Sequence, residues 1–163
     1  MLLLSLFSFG NKKNDKDFRK NGVSFKIPPK WKIIKQEPYG DNGYYVALRK
    51  KGRSGIMAML IWSPGQSDLD EYLQWGHATL TSVLVTPAPQ ATCDIYDHSI
   101  NGIKTRSFKS EFTKIGTPIE VVSHAFHGSN KTIALVETGF KGGSLKNQKE
   151  KDFKLIEDSF TVL

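Results

Sequence analysis

The chain has 163 residues, 39% of them hydrophobic and 24% charged, enough for one buried core and unlike a disordered polypeptide. Its single cysteine, Cys93, excludes an intrachain disulfide, a multi-cysteine zinc site and a thiolate-held iron–sulfur cluster. The net charge of +7 gathers at the front, with 13 Lys and Arg against four acids through Arg53 and 10 against 12 beyond it.

The opening run "MLLLSLFSFG" is apolar from Met1 to Phe9 except for its serines. A membrane-spanning helix needs about 20 apolar residues, so this run is too short to be one. It fits the end of a signal-peptide apolar region, with Ser8 and Gly10 in the small-x-small arrangement for a cut after Gly10. No basic stretch precedes the run, which implies a start a few codons upstream. No cysteine follows it, so a lipid anchor has no support. Residues 11–21 read as a polar, Lys-rich tether, and residues 22–163 as a single domain.

Within that domain "VSFKI" alternates Val23, Phe25 and Ile27, the period of a strand. "PPK" stops it, and "WKIIKQ", "YYVALRK" and "IMAMLIW" follow as further strands, the last two joined by the turn-rich "KGRSG". Every position from Ile56 to Trp62 is apolar, so this strand needs a covering layer on both faces. Next comes a helix with Ser67 as N-cap and Asp68, Asp70 and Glu71 in its first turn, where carboxylates complement the helix dipole. Leu69, Tyr72, Leu73, Gly76, Leu80, Val83 and Leu84 make its apolar face, and "TPAPQ" ends it. From Thr92 to Phe140 a second β region has the short connections "ING", "IGTP" and "HGSN", which permit only antiparallel neighbours. A final helix spans about Leu145 to Asp158. The expectation is an α+β fold, an antiparallel sheet of about seven strands with a helix on each face, an α/β/α sandwich.

Three stretches resemble the PsbP/Mog-like fold group, which includes DcrB-like bacterial envelope proteins. "GVSFKIPPKW" (Gly22 to Trp31) is similar to the group's opening strand, proline and tryptophan. "ING" is similar to its mid-sheet hairpin, and "DFKLIEDSFTV" (Asp152 to Val162) to its closing helix and the Ser-Phe after it. The resemblance covers residues 22–163. It implies a mostly non-enzymatic role, as in thylakoid-lumen assembly factors, a Ran-binding nuclear protein and bacterial envelope proteins. It carries no catalytic motif, and fold alone does not fix function.

Among chemistry-bearing residues, His124 and His127 stand three apart on a strand and so face opposite ways, which argues against a shared ion. "CDIYDH" brings Asp94, Asp97 and His98 together with Cys93, a candidate metal or acid–base cluster. Cys93 reads as a small buried thiol, since a nucleophile needs a base within reach. Nucleotide, hydrolase-elbow and zinc-protease motifs are absent from the sequence, and "FKGGS" reads as a strand-to-helix turn. Trp31, Trp62 and Trp75 read as core with an exposed edge. The Lys-rich "FKIPPKWKIIK" reads as a solubilised strand face, and no nucleic-acid partner, cofactor or transmembrane segment is expected.

The leading expectation is a non-catalytic, exported, periplasmic accessory domain. Its partner is a protein or envelope component, engaged through the basic face of Lys26, Lys30, Lys32 and Arg49. The competing classes are a metal-dependent or acid–base enzyme using Asp94, Asp97 and His98, and a cytoplasmic adaptor for a GTPase-like partner.

Overall fold

In a computed structural model, which describes residues 16–53, 55–142 and 145–163, strands β1 (Lys16–Lys20), β2 (Val23–Ile27), β3 (Trp31–Tyr39), β4 (Gly43–Lys50) and β5 (Met57–Pro64) lead into helix α1 (Leu69–Thr81). Strands β6 (Tyr96–Ile100), β7 (Ile103–Lys114), β8 (Thr117–Gly128) and β9 (Lys131–Phe140) follow, then helix α2 (Leu145–Ser159) and β10 (Thr161–Val162). The main sheet has seven strands in the order β3-β4-β5-β9-β8-β7-β6, antiparallel throughout.

Strand β5 lies at the third position of this sheet, and its uninterrupted apolar run is explained by two opposed cores. Ala58, Leu60 and Trp62 point to one face, where Phe126, Ile133, Leu135 and, from α2, Phe153 and Ile156 pack. Met57, Met59 and Ile61 point to the other, against Tyr72, Leu73 and Leu80 of α1. The expected α/β/α sandwich is present. The turns between β6 and β9 are as short as expected, with Asn101, Ile115 and Asn130 at positive φ, the left-handed geometry that tight hairpins require.

A second sheet, β1-β2-β10, extends the α2 layer. Its residues were not expected to form a sheet of their own. "VSFKI" pairs with Lys16–Lys20 on one side and with Thr161–Val162 on the other, and does not continue into β3. Proline at 28 and 29 removes two backbone donors, and Lys30 sits at φ 67, so the chain leaves one sheet there and enters the other. Lys16–Lys20 therefore corrects the polar-tether reading of 11–21: Phe18 is buried against Phe25, ring centroids 4.9 Å apart, while the lysines face outward. The assignment of residues 1–10 to an export signal falls outside the described residues, as do residues 11–15 of the tether.

Helix α1 begins at the first residue of its apolar pattern, with the cap one residue later than expected, and ends before Val83 and Leu84. The N-cap is Asp68, whose Oδ1 accepts from the Glu71 N–H at 3.0 Å, and not Ser67. At the far end Thr81 Oγ1 donates to the His77 carbonyl at 2.7 Å, and Val83 is left 64% exposed. Gly76 allows the helix to lie on β9, since a Cβ there would meet the Ala134 Cβ at 2.3 Å.

His77 is buried between α1 and β8, with Nδ1 2.8 Å from Ser123 Oγ and Nε2 2.9 Å from the Pro89 carbonyl. Burial holds its imidazole below the ordinary histidine range. The unfolded chain titrates near pH 6.5, so below that it binds the proton that the folded chain refuses. This contribution to stability is complete above about pH 6.5 and falls away as pH drops through and below that value. Denaturant unfolding of the wild type from pH 7.5 to 5 is expected to show this loss. His77→Gln should lose less stability than the wild type over this range, with His124, Glu137 and Glu157 contributing alike to both. Equal slopes for the two proteins would assign the pH dependence to those groups.

Candidate functional site

The α2 face of the main sheet is apolar on β3, β4 and β5 and turns polar toward β6. Side chains on one face of a strand recur every second residue. Ile100 and His98, Phe126 and His124, Leu135 and Glu137 therefore share a face, and the second of each pair carries charge or polarity where the first fills the core. Opposite them Lys149, Phe153 and Glu157 recur every four residues along α2, one stripe of the helix. Between helix and sheet lies a pocket of about 310 Å³, lined also by Tyr96, Lys109, Glu120 and Lys154.

His124 is the deepest of these groups. Its Nδ1 is 2.8 Å from Ser107 Oγ, which is 3.0 Å from Thr105 Oγ1, and all three residues are buried. Its Nε2 has no hydrogen-bond partner. Glu157 Oε1 lies 3.8 Å from that nitrogen and Glu137 Oε2 4.0 Å from it, too far for hydrogen bonds. Glu137 Oε1 is a second buried atom without a partner. Glu157 Oε2 is 3.8 Å from His98 Nε2, and the His98 and His124 rings stack with centroids 5.3 Å apart.

Burial dominates the electrostatics. It pushes the His124 imidazole down to about 3, helped by His98, so His124 is neutral at ordinary pH and its contacts with the two carboxylates are not ion pairs. Burial, reinforced by the charge of Glu157, raises the Glu137 carboxyl well above the usual range, and Lys149 offsets only part of this. Glu157 is also raised, again chiefly by burial, with His98 opposing. Lys149 Nζ donates to Glu120 Oε1 at 3.2 Å at the rim.

Ser107, His124 and a glutamate connect like a hydrolytic triad, yet the hydroxyl has no exposure at all and touches Thr105 instead of the pocket. A nucleophile must reach its substrate. The hydroxyl chain instead fixes the imidazole ring, leaving Nε2 directed at the carboxylates. Cys93 supplies no alternative: it is exposed, which corrects the buried-thiol reading, and its Sγ accepts from the Lys109 N–H at 3.3 Å.

The cluster Asp94, Asp97 and His98 is not brought together. Asp97 and His98 are adjacent on β6 and face opposite ways. Asp97 pairs with Arg106 at 2.7 Å on the α1 side, where Arg106 also grips Asp70 at 2.6 Å. Asp94 is exposed in the segment before β6. Only His98 reaches the pocket. His124 and His127 do face apart: His127 Nε2 bonds the Ser67 carbonyl at 2.8 Å, beside α1. Of the basic residues, Lys32 and Arg49 are direct cross-strand neighbours on β3 and β4, Lys30 sits in the preceding turn, and Lys26 belongs to the second sheet. Trp31 and Trp62 are buried, while Trp75 is 37% exposed and rests against Tyr72 and Tyr39. The "FKGGS" turn lies partly outside the described residues.

Sequence reasoning missed Glu137 and Glu157. A signal existed for the first: in "IALVETGF" a carboxylate stands on the face shared by Ile133 and Leu135. For the second it was the step of four from Phe153.

No protein-family model matches the chain, and no curated protein does. Solved structures share its fold. One is cyanobacterial PsbP (CyanoP) of Synechocystis sp. PCC 6803, with a TM-score of 0.60 at 13% identity over 97% of this chain and 99% of that one. Another, from Bacteroides thetaiotaomicron, has a TM-score of 0.60 at 14% identity over 91% of this chain, which spans 48% of that longer one. LpqN of Mycobacterium tuberculosis, involved in cell envelope biogenesis, aligns over 93% of this chain and 87% of its own, with a TM-score of 0.48 at 12% identity. The fold is PsbP-like, as the three sequence stretches implied. Among the described residues no helix is long and apolar enough to cross a membrane.

Proposed function

We propose that this chain is a non-catalytic accessory domain, working outside the cytoplasm, that holds a ligand in the pocket under α2. One observation carries the reading: two buried polar atoms without a partner of their own, His124 Nε2 and Glu137 Oε1, belong to residues that line the pocket. Buried polar groups cost stability unless satisfied, so a fold retains them where binding requires them. The apolar run Met1–Phe9 with its Ser8-x-Gly10 pattern supports the extracytoplasmic setting, and the PsbP-like fold agrees with an accessory role. The cross-strand pair Lys32 and Arg49 supplies a positive contact for an acidic surface on an envelope partner.

The test has two arms. Glu137→Met removes, at similar volume, a buried carboxyl whose Oε1 has no partner, and such an unsatisfied group costs about 1–3 kcal/mol. The variant is expected to melt at or above the wild-type temperature. A loss of several degrees would make the polar lining a structural necessity and overturn the pocket as a binding site. For the setting, residues 1–21 are fused to a phosphatase active only outside the cytoplasm. Activity is expected, and none would remove the export claim.

A further inference from the structure

His124 Nε2, a Glu137 oxygen and a Glu157 oxygen all lie within 4.8 Å of one another, one nitrogen and two oxygens converging from β8, β9 and α2. We propose that these three side chains form a binding site for a divalent transition-metal cation, with zinc as the reference ion, and that this metal is the ligand of the α2 pocket. The inference rests on the pocket reading above and gives its occupant a chemical class.

Imidazole and carboxylate are donors that zinc accepts at 2.0–2.2 Å, which sets tetrahedral neighbours roughly 3.4 Å apart. The observed 3.8 Å and 4.0 Å separations from His124 Nε2 require a small contraction, and Glu157 is carried on a helix side chain that can supply it. Ser107 engages Nδ1 of His124, the nitrogen that metal-binding histidines ordinarily use to hold their ring in place, and so directs Nε2 at the ion. A cation there would meet His124 Nε2, which lacks a partner, and the Glu137 carboxylate, which turns Oε2 toward that nitrogen and whose Oε1 also lacks a partner. His98, 3.8 Å from the second oxygen of Glu157, orients that carboxylate from the rim. Three protein donors leave the remaining coordination position facing the pocket, where water or an oxygen from a partner completes the shell.

The experiment is zinc titration of the purified full chain after chelator treatment, read by calorimetry and by competition with a chromophoric chelator. One zinc per chain is expected. Glu157→Gln, on a partly exposed helix position, should weaken binding at least 10-fold without unfolding the protein, and Glu137→Gln likewise. Ser107→Ala should weaken it about 10-fold, the usual effect of removing a group that holds a metal-binding histidine. His127→Ala, on the other face of the sheet, should leave it unchanged. Sub-stoichiometric binding by the wild type would overturn the proposal, as would binding that Glu157→Gln and Glu137→Gln leave intact. The stability of Glu137→Met is measured without metal, so the pocket reading stands or falls separately from zinc.

Discussion

Lys50→Ala is expected to destabilise the protein by about 3–5 kcal/mol, the usual cost of removing one partner of a buried ion pair. Lys50 Nζ lies 2.6 Å from Asp152 Oδ2, with side-chain exposures of 12% and 5%. The same oxygen accepts from Trp31 Nε1 at 3.0 Å. One carboxylate of α2 is thus held by the ends of both β3 and β4, at the opposite edge of the sheet from the pocket. For a chain of this size that loss corresponds to a melting point lower by roughly 10 °C, at about 2–4 °C per kcal/mol. The double variant Lys50→Met with Asp152→Leu should recover part of the stability, because the ion pair is gone while the Trp31 N–H loses its acceptor. A single variant that melts within 2 °C of wild type, on that same approximate scale, would show that water reaches Asp152 freely.

Trp62 offers the second large effect, and it depends on what replaces it. The side chain is 1% exposed and lies 5.3 Å from the Tyr44 ring and 6.4 Å from the Phe18 ring, joining the main sheet to the second sheet. Trp62→Ala should cost about 3–5 kcal/mol, transfer and cavity terms combined. Yet the indole N–H has no hydrogen-bond partner, and such a buried orphan costs about 1–3 kcal/mol by itself. Trp62→Phe removes that donor while keeping the ring, so its cost should be less than half that of alanine. Urea unfolding at constant slope measures both. Equal costs would mean that the N–H contributes to stability.

These two sites show where the sequence was legible and where it was not. The continuous apolar run from Ile56 to Trp62 announced a strand covered twice, and both opposed cores follow from it. The short hairpins fixed the antiparallel order of β6 to β9. The second sheet escaped because its strand β1 is "KDFRK", four charges around one phenylalanine, and a single buried residue gives no period to read. The candidate site escaped for a different reason. His98, His124, Glu137 and Glu157 come from three strands and a helix, and only the cross-strand registers place them side by side. Local spacing instead grouped Asp97 with His98, two neighbours that a pleated strand turns to opposite faces.

The pairing of β2 with β10 has a kinetic meaning. Ser24 Oγ and Thr161 Oγ1 lie 2.6 Å apart across 137 positions of sequence, and the Lys26 N–H bonds Ser159 Oγ across 133. Contacts so distant along the chain are slow to form, since loop closure must precede any gain. While the polypeptide emerges from one end, β2 can pair with β1 at once but gains its second neighbour only when the segment near residue 160 arrives. The second sheet is therefore completed late, together with the seating of α2 and its Glu157 over the pocket.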